Sequence, residues 1–320
     1  MISVVIPALN EEDSIGETVH AVKAVLTSAD IVPFEVIVVD DGSADKTGEI
    51  ARAAGAKVIR HPHRAGYGRS LKDGIRAATY ETIAITDADG TYPVGDIPSL
   101  YARHREGFDM TVGARGGKHY RESLLKMPLR WLLRKLVEFT ADRKVPDINS
   151  GLRIFDRSTV LSYFDHLCDT FSFTTSLTLA YMMTGRFVDY VPINYHKRVG
   201  KTKVKLLKDA LKTFQYILEA AIYFNPLRIF LLLSGVVAAS GLVSLLAALI
   251  IHLNVFFFIG VGAIISSIIV LSIGFLAVLL RQIMVKSVES SVTARPDIHA
   301  DLSSSEATGR KKWPSTVEHR

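Results

Sequence analysis

The chain of 320 residues has a single cysteine, Cys168. This scarcity excludes intramolecular disulfides and cysteine-based zinc sites. No G-x-G-x-x-G follows the first apolar run, and no G-x-x-x-x-G-K-[ST] is present. Both absences argue against a nicotinamide or flavin enzyme and against a P-loop protein. The opening "MISVVIPALN" lacks the basic start and the apolar length of a signal peptide, so we expect a cytosolic N-terminal part.

Charged residues are missing from two long apolar segments, at about 229–251 and 255–280. At about 1.5 Å per residue, each is long enough to cross a hydrocarbon core of about 30 Å. The sequence therefore predicts a transmembrane hairpin (228–281) with a turn at 252–254, in preference to a buried pair of core helices. Basic residues flank its outer ends and are absent from the turn, which predicts that both ends are cytosolic.

The net charge of +6 suits an anionic partner such as nucleic acid, lipid head groups or a phosphorylated substrate. Nucleic-acid binding would leave the apolar hairpin unexplained, so we expect no nucleic-acid partner. We therefore expect an integral membrane protein of the cell membrane or of an internal membrane.

The first 200 residues read as a cytosolic domain in which strand and helix patterns alternate. This alternation predicts an α/β fold with a doubly wound, mostly parallel sheet. Predicted strands lie at 2–8, 34–43, 56–61, 81–89 and 109–115. Ligands bind outside the carboxyl ends of such strands, and polar side chains fall there: Asn10, Asp40, Asp41, Asp87, Asp89 and Arg115.

Two amphipathic stretches, 122–139 and 204–224, adjoin the apolar segments. One interpretation packs them against the domain core, and the other lays them in the membrane interface. The second stretch belongs to a juxtamembrane segment, 201–227. Residues 287–320 are polar and predict a disordered tail.

Two pairs of acidic residues carry the predicted chemistry. Asp87 and Asp89 end a predicted strand, where alternate residues share a face, so both carboxylates should point the same way. Their repulsion favours a bound Mg²⁺ or Mn²⁺, whereas the alternative is a turn that caps the next helix. Asp40 and Asp41 end another strand, either as part of a helix N-cap or as contacts for a base or ribose.

Several motifs occur together and in order: "VVIPALNEEDSI", "VIVVDDGSADKT", "ADGTYP", "VGAR" and "INSGLRIF". Together they resemble the family-2 inverting glycosyltransferases, especially the polyprenyl-phosphate branch, over about residues 1–225. The resemblance implies a GT-A-type fold. It also implies metal-dependent, inverting transfer of a hexose from a UDP- or GDP-sugar to undecaprenyl or dolichyl phosphate.

The resemblance also implies roles for individual residues. The donor nucleotide would contact Pro7, Asn10, Glu11, Asp40, Asp41, Gly68, Lys72, Asp87 and Ala88. The metal would bind Asp87 and Asp89, with Thr91 in the place where many relatives have a glutamine that can join the metal. The acceptor phosphate would bind Arg115, Arg130, Arg198 and Lys203. The catalytic set would be Asp89, Arg115, Asp147 and Arg198.

Two alternatives stay open at this level. A processive polysaccharide synthase would carry Q-x-x-R-W, but "PLRW" (128–131) is preceded by Met127 and not by the required glutamine. A non-catalytic membrane scaffold would not need the acidic pairs. Thr91 departs from the mannose-synthase pattern, which favours a UDP-sugar, and some relatives form oligomers. We interpret the segment that contains His61 and His63 as a surface loop rather than as a metal site.

Overall fold

The structure is a computed structural model that describes residues 1–116, 135, 137–139, 143–196, 214–219, 222–223 and 225–293. The chain divides into two compact units, Met1–Leu232 and Leu233–Arg320. The first unit contains the predicted α/β domain, and the second contains most of the predicted hairpin.

The first unit is built on a seven-stranded sheet in the order β3-β2-β1-β4-β6-β5-β7. The strands are β1 Ile2–Ala8, β2 Phe34–Asp40, β3 Lys57–Arg60, β4 Thr82–Ile85, β5 Met110–Gly116, β6 Arg153–Asp156 and β7 Val188–Asn194. Pairing is parallel except that β6 runs antiparallel to both β4 and β5. The prediction of a mostly parallel sheet is confirmed, although β6 and β7 were not predicted.

Helices cover both faces of the sheet. They are α1 Ile15–Ser28, α2 Thr47–Ala53, α3 Tyr67–Ala77, α4 Ile97–Arg105, α5 Arg157–Leu161 and α6 Phe173–Met183. Every residue of β1 is buried because the strand has helices on each side. Ile6 belongs to the core cluster with α1, and Val5 belongs to the cluster with α3. Alternate side chains of β1 thus enter different clusters, and the hydrophobic core lies on both faces of the sheet.

Strand β4 is shorter than predicted and ends at Ile85. Asp87 and Asp89 therefore lie in the turn beyond the strand. Strand alternation therefore does not align their carboxylates, because both residues lie beyond the end of β4. Their relative placement depends on the turn and on the side chains around it.

The described residues of the two amphipathic stretches show both packing and exposure. Val137 and Ile217 are fully buried in a cluster that includes Leu179 of α6. Phe214 and Ile222 are 41% and 47% exposed. Ile217 therefore packs against the domain, whereas Phe214 and Ile222 of the same stretch remain at the surface.

Two long helices follow, α7 Pro226–Ile251 and α8 Asn254–Thr293. Both are long and apolar enough to cross a membrane, and only 11% of each candidate span is buried. The alternative of a buried core pair is therefore wrong for these residues. Helix α8 runs beyond the predicted end at 280, so residues 287–293 of the predicted tail are helical, and 294–320 lie outside the described residues.

The helices contact each other within the second unit through small residues. A Cβ added at Gly241 would lie 3.0 Å from the carbonyl oxygen of Gly260. The Ser244 hydroxyl donates to the Phe256 carbonyl at 2.8 Å. Close helix contact through glycine and a hydroxyl bond to the backbone are both typical of helix pairs in lipid.

Candidate active site

Asp87 and Asp89 lie at the carboxyl end of β4, and hydroxyl groups orient both carboxylates. The Tyr67 hydroxyl donates to Asp87 Oδ1 at 2.9 Å. The Thr91 hydroxyl donates to Asp89 Oδ1 at 2.6 Å, and the Thr91 amide donates to the same oxygen. The buried Thr91 therefore holds Asp89 in place, and the sequence reading of Thr91 as a metal ligand stays a prediction.

Tyr195, one residue beyond β7, lies close enough to both carboxylates for their charges to affect the pKa of its phenol. Burial raises the pKa of its phenol, and the negative charges of Asp89 and Asp87 raise the pKa further, against the effects of the Thr91 hydrogen bond and of Arg115. The sequence analysis did not single out Tyr195. Its position at the end of a strand was the available signal, but β7 itself was not predicted.

Within the described part of the chain, no cluster of three or more His, Cys, Asp or Glu side chains has the arrangement of a metal site. The two carboxylates nevertheless supply hard oxygen ligands of the kind that Mg²⁺ and Mn²⁺ accept. Such ions commonly bind one or two carboxylates and complete their shell with water and substrate phosphates. Asp87 and Asp89 therefore fit a site at which a divalent cation is bound by both the protein and a substrate diphosphate.

Arg115 and Asp147 form a two-pronged ion pair beside these carboxylates. Arg115 Nε lies 2.7 Å from Asp147 Oδ2, and its Nη2 lies 2.8 Å from Oδ1. The Asp147 side chain is 2% exposed and the Arg115 side chain is 16% exposed. Although burial opposes ionisation, the Arg115 guanidinium and backbone amides hold the pKa of Asp147 below its ordinary value. Arg115, predicted to bind the acceptor phosphate, is thus joined to Asp147, another member of the predicted catalytic set.

Residues 148–151 connect the Arg115–Asp147 pair to Asp87. The amide of Gly151 donates to the Tyr92 hydroxyl at 2.6 Å. A Cβ added at Gly151 would lie 2.9 Å from Asp87 Oδ1, so the backbone lies directly against that carboxylate. Arg153, fully buried on β6, donates to the Ile148 and Ser150 carbonyls at 2.7 Å each. Tyr92, Gly151 and Arg153 received no role in the sequence analysis.

The predicted nucleotide residues form a second cluster at the ends of β1 and β2. The Asn10 amide donates to Ser43 Oγ at 3.0 Å, and the Asn10 side chain accepts from the Ala44 amide at 2.8 Å. The Glu11 amide donates to Thr47 Oγ1 at 2.9 Å. Pro7 pairs with Val39 inside the sheet. These contacts clamp the loop after β1 onto the start of α2.

Asp40 and Asp41 both face inward. Asp40 is fully buried, its Oδ1 accepts from the Ser43 amide at 2.9 Å, and its Oδ2 lies 3.6 Å from Arg60 Nε. Asp41 accepts from the amides of Ala65 and Gly66 and lies 2.8 Å from His61 Nδ1. His61 lies in the loop after β3, and its side chain is 11% exposed beside Asp41.

Gly68 and Lys72 of α3 contact the segment before α6. A Cβ at Gly68 would lie 2.4 Å from the Cys168 carbonyl oxygen, which explains the glycine by close backbone approach. Lys72 Nζ lies 2.7 Å from an Asp169 oxygen and donates to the Leu167 carbonyl. Both residues have structural partners here, and their predicted contacts with a nucleotide stay predictions. The Ala88 carbonyl similarly accepts from Ser14 and Thr18 of the α1 region.

Arg130, Arg198 and Lys203 lie outside the described residues. The chain nevertheless reaches the site just before two of them, because the His196 amide donates to the Thr91 carbonyl at 2.9 Å.

Comparison with known proteins identifies the family of this arrangement. The family described as Glycosyl transferase family 2 matches residues 3–164, about half of the chain. That stretch contains the acidic pairs and Asp147.

Two curated relatives match different lengths of this chain. A glycosyltransferase of Mycobacterium bovis is 38% identical over 114 residues, which are 36% of this chain and 48% of that protein. The low-salt glycan biosynthesis hexosyltransferase Agl6 of Haloferax volcanii is 31% identical over 69% of this chain and 54% of its own length. The chain thus spans about half the length of these relatives.

A longer match is to the undecaprenyl-phosphate 4-deoxy-4-formamido-L-arabinose transferase of Pectobacterium carotovorum. It is 27% identical over 80% of this chain and 77% of the relative. Among solved structures, glucosyl-3-phosphoglycerate synthase of Mycobacterium tuberculosis, in complex with Mn²⁺, UDP and glucosyl-3-phosphoglycerate, matches with a TM-score of 0.57. At 23% identity, over 69% of this chain and 80% of that one, this likeness supports the fold alone.

Proposed function

The chain belongs to glycosyl transferase family 2, and on that premise we propose that it transfers a hexose from a nucleotide sugar to a polyprenyl phosphate with inversion at the anomeric carbon. One observation carries the proposal: the Asp87–Asp89 pair and two membrane-length helices occur in one chain. The relative named as an undecaprenyl-phosphate transferase supports the acceptor class.

The donor diphosphate would bind at Asp87 and Asp89 together with Mg²⁺ or Mn²⁺. When bound, the cation would offset the negative charge that the departing nucleoside diphosphate acquires. Tyr67 and Thr91 would keep the two carboxylates oriented, which limits reorganisation as that charge develops.

An oxygen of the acceptor phosphate would attack the anomeric carbon while the bond to the nucleoside diphosphate breaks on the opposite face. Phosphate is already anionic near neutral pH, so the nucleophile does not require a general base. It requires cations for positioning. We assign this task to Arg130, Arg198, Lys203 and Arg115, whose Nε and Nη2 are held by Asp147.

The membrane would bring the lipid acceptor to the site. Helices α7 and α8 are proposed to span it, and the exposed Phe214 and Ile222 would lie in its interface. The positive-inside rule places the first unit and the end of α8 on the cytosolic side.

A transfer assay tests this function on the full chain in detergent. It supplies undecaprenyl phosphate, Mn²⁺ or Mg²⁺, and a panel of radiolabelled UDP- and GDP-sugars. We expect lipid-extractable label from one donor, loss of the label with EDTA, and a decrease of about 100-fold or more in Asp89→Ala. Asp165→Ala, at an exposed aspartate, is the matched control and should transfer normally.

Two other results would redirect the proposal. Metal-dependent UDP or GDP binding without transfer to lipid would keep the donor site and reject the polyprenyl acceptor. Absence of any nucleotide binding would reject a glycosyltransferase and favour a non-catalytic scaffold.

A further inference from the structure

Arg153 is a fully buried arginine whose hydrogen bonds go to neutral partners. Its Nε and Nη2 donate to the Ser150 and Ile148 carbonyls, and its Nη1 donates to Thr178 Oγ1 of α6, each at 2.7 Å. Burial lowers the pKa of Arg153 from its ordinary value, yet a guanidinium keeps its charge near neutral pH. A buried charge of this kind is costly and requires good hydrogen-bond geometry.

The two carbonyls that Arg153 holds flank Asn149 and precede Gly151. The Gly151 amide is fixed by Tyr92 on one side, and the Gly151 Cα lies against the Asp87 carboxylate on the other. Gly151 therefore lies against Asp87, and the backbone that leads to it is held by Arg153 at residues 148 and 150 and by Tyr92 at residue 151.

We propose that Arg153 is a positioning residue for the metal–diphosphate site, which acts by holding residues 148–151 against Asp87. Arg153 touches neither the metal nor the substrate in this assignment. The inference rests on the proposed function, because it requires Asp87 to bind a divalent cation together with a nucleoside diphosphate. It predicts that Arg153 affects donor-side binding in the absence of any acceptor.

Arg153→Lys tests the assignment with charge retained. A single ammonium group cannot reproduce three directed bonds from a rigid plane. We expect Mn²⁺-dependent UDP or GDP binding to weaken roughly tenfold, as for other outer-shell partners of metal ligands. Calorimetry measures the nucleotide affinity, and electron paramagnetic resonance of Mn²⁺ measures the metal affinity, both without acceptor.

Arg157→Lys is the matched control. Arg157 also donates to two backbone carbonyls, those of Ile75 and Arg76, but it lies at the other end of β6. We expect this variant to bind Mn²⁺ and nucleotide as the wild type does, although it loses the same kind of bonds.

Gly151→Ala tests the contact between residue 151 and Asp87 while Arg153 is unchanged. Its Cβ would push against the Asp87 carboxylate, so Mn²⁺ affinity should fall at least tenfold. Gly95→Ala is the control, because nothing lies within 4 Å of a Cβ there. If Arg153→Lys does not fold, Thr178→Val decides the matter, because it removes one hydrogen-bond partner of Arg153 and leaves Gly151 unchanged.

Three results would overturn the inference. Folded Arg153→Lys with wild-type affinities for Mn²⁺ and nucleotide would reject it while the proposed function stands. Wild-type affinities in both Gly151→Ala and Thr178→Val would do the same. Failure of the unaltered chain to bind UDP or GDP with Mn²⁺ would remove the proposed function and this inference together.

Discussion

At the scale of single residues, Thr91 supports one carboxylate of the Asp87–Asp89 pair. Its hydroxyl and its amide both donate to Asp89 Oδ1. The residue therefore orients the Asp89 carboxylate. The sequence could identify the position as unusual, but only the hydrogen bond reveals what the hydroxyl does.

Thr91→Val is predicted to weaken Mn²⁺ binding by about tenfold, since Asp89 loses a charge-assisted hydrogen bond within the proposed metal site. Thr91→Ser keeps the hydroxyl and should bind normally. Titration of Mn²⁺ followed by electron paramagnetic resonance makes the comparison. Equal affinities in the valine and serine variants would refute this role.

The Arg115–Asp147 pair makes a prediction for acid stability. The folded-state pKa of Asp147 is lowered below 3.8, so the unfolded state binds the proton more tightly. The stabilisation is fully present above the unfolded pKa and is lost as pH falls through the folded pKa. Thermal unfolding of the full chain in detergent between about pH 5 and pH 2 should show a shallower acid decline for Asp147→Asn than for the wild type. Parallel declines would contradict the lowered pKa.

At the scale of elements, helix α3 lies close to the segment that precedes α6. Gly68 permits this approach, and Lys72 bonds to the same segment. A glycine-rich turn in a nucleotide-binding family suggests ligand contact, but here the space beside Gly68 is filled by backbone.

Gly68→Ala is predicted to lower the free energy of unfolding by about 1–3 kcal/mol, the usual effect of overpacking. Gly95→Ala should leave stability nearly unchanged because its site is open. Thermal unfolding with and without UDP measures both. A normal melting temperature combined with lost UDP binding in Gly68→Ala would support the predicted direct contact with the nucleotide.

At the scale of the whole molecule, the exposed apolar helices define a second, chemically distinct unit. Leu249 and Ile250 are 72% and 77% exposed near the end of α7. Apolar surface of this extent is unfavourable in water and is expected in lipid. Homo-oligomer formation stays a prediction.

Cysteine labelling tests the predicted topology. Cys168 is buried and is replaced by serine to give a cysteine-free background. In sealed inside-out vesicles, a membrane-impermeant maleimide should label Lys46→Cys and should not label His252→Cys until the vesicles are opened. Labelling of both positions from the same side would reject a membrane-crossing hairpin.

The sequence by itself determined the alternating α/β pattern, the two apolar segments and the acidic pairs at strand ends, because these features depend on local composition and periodicity. Only the tertiary structure decided the antiparallel insertion of β6 and the contacts of Gly151 with Asp87 and Tyr92. It also decided the pairing of Arg115 with Asp147 and the buried position of Arg153. These contacts join residues distant in the chain, such as Tyr92 and Gly151. Their partners are set by strand order and close packing, which local sequence patterns do not encode.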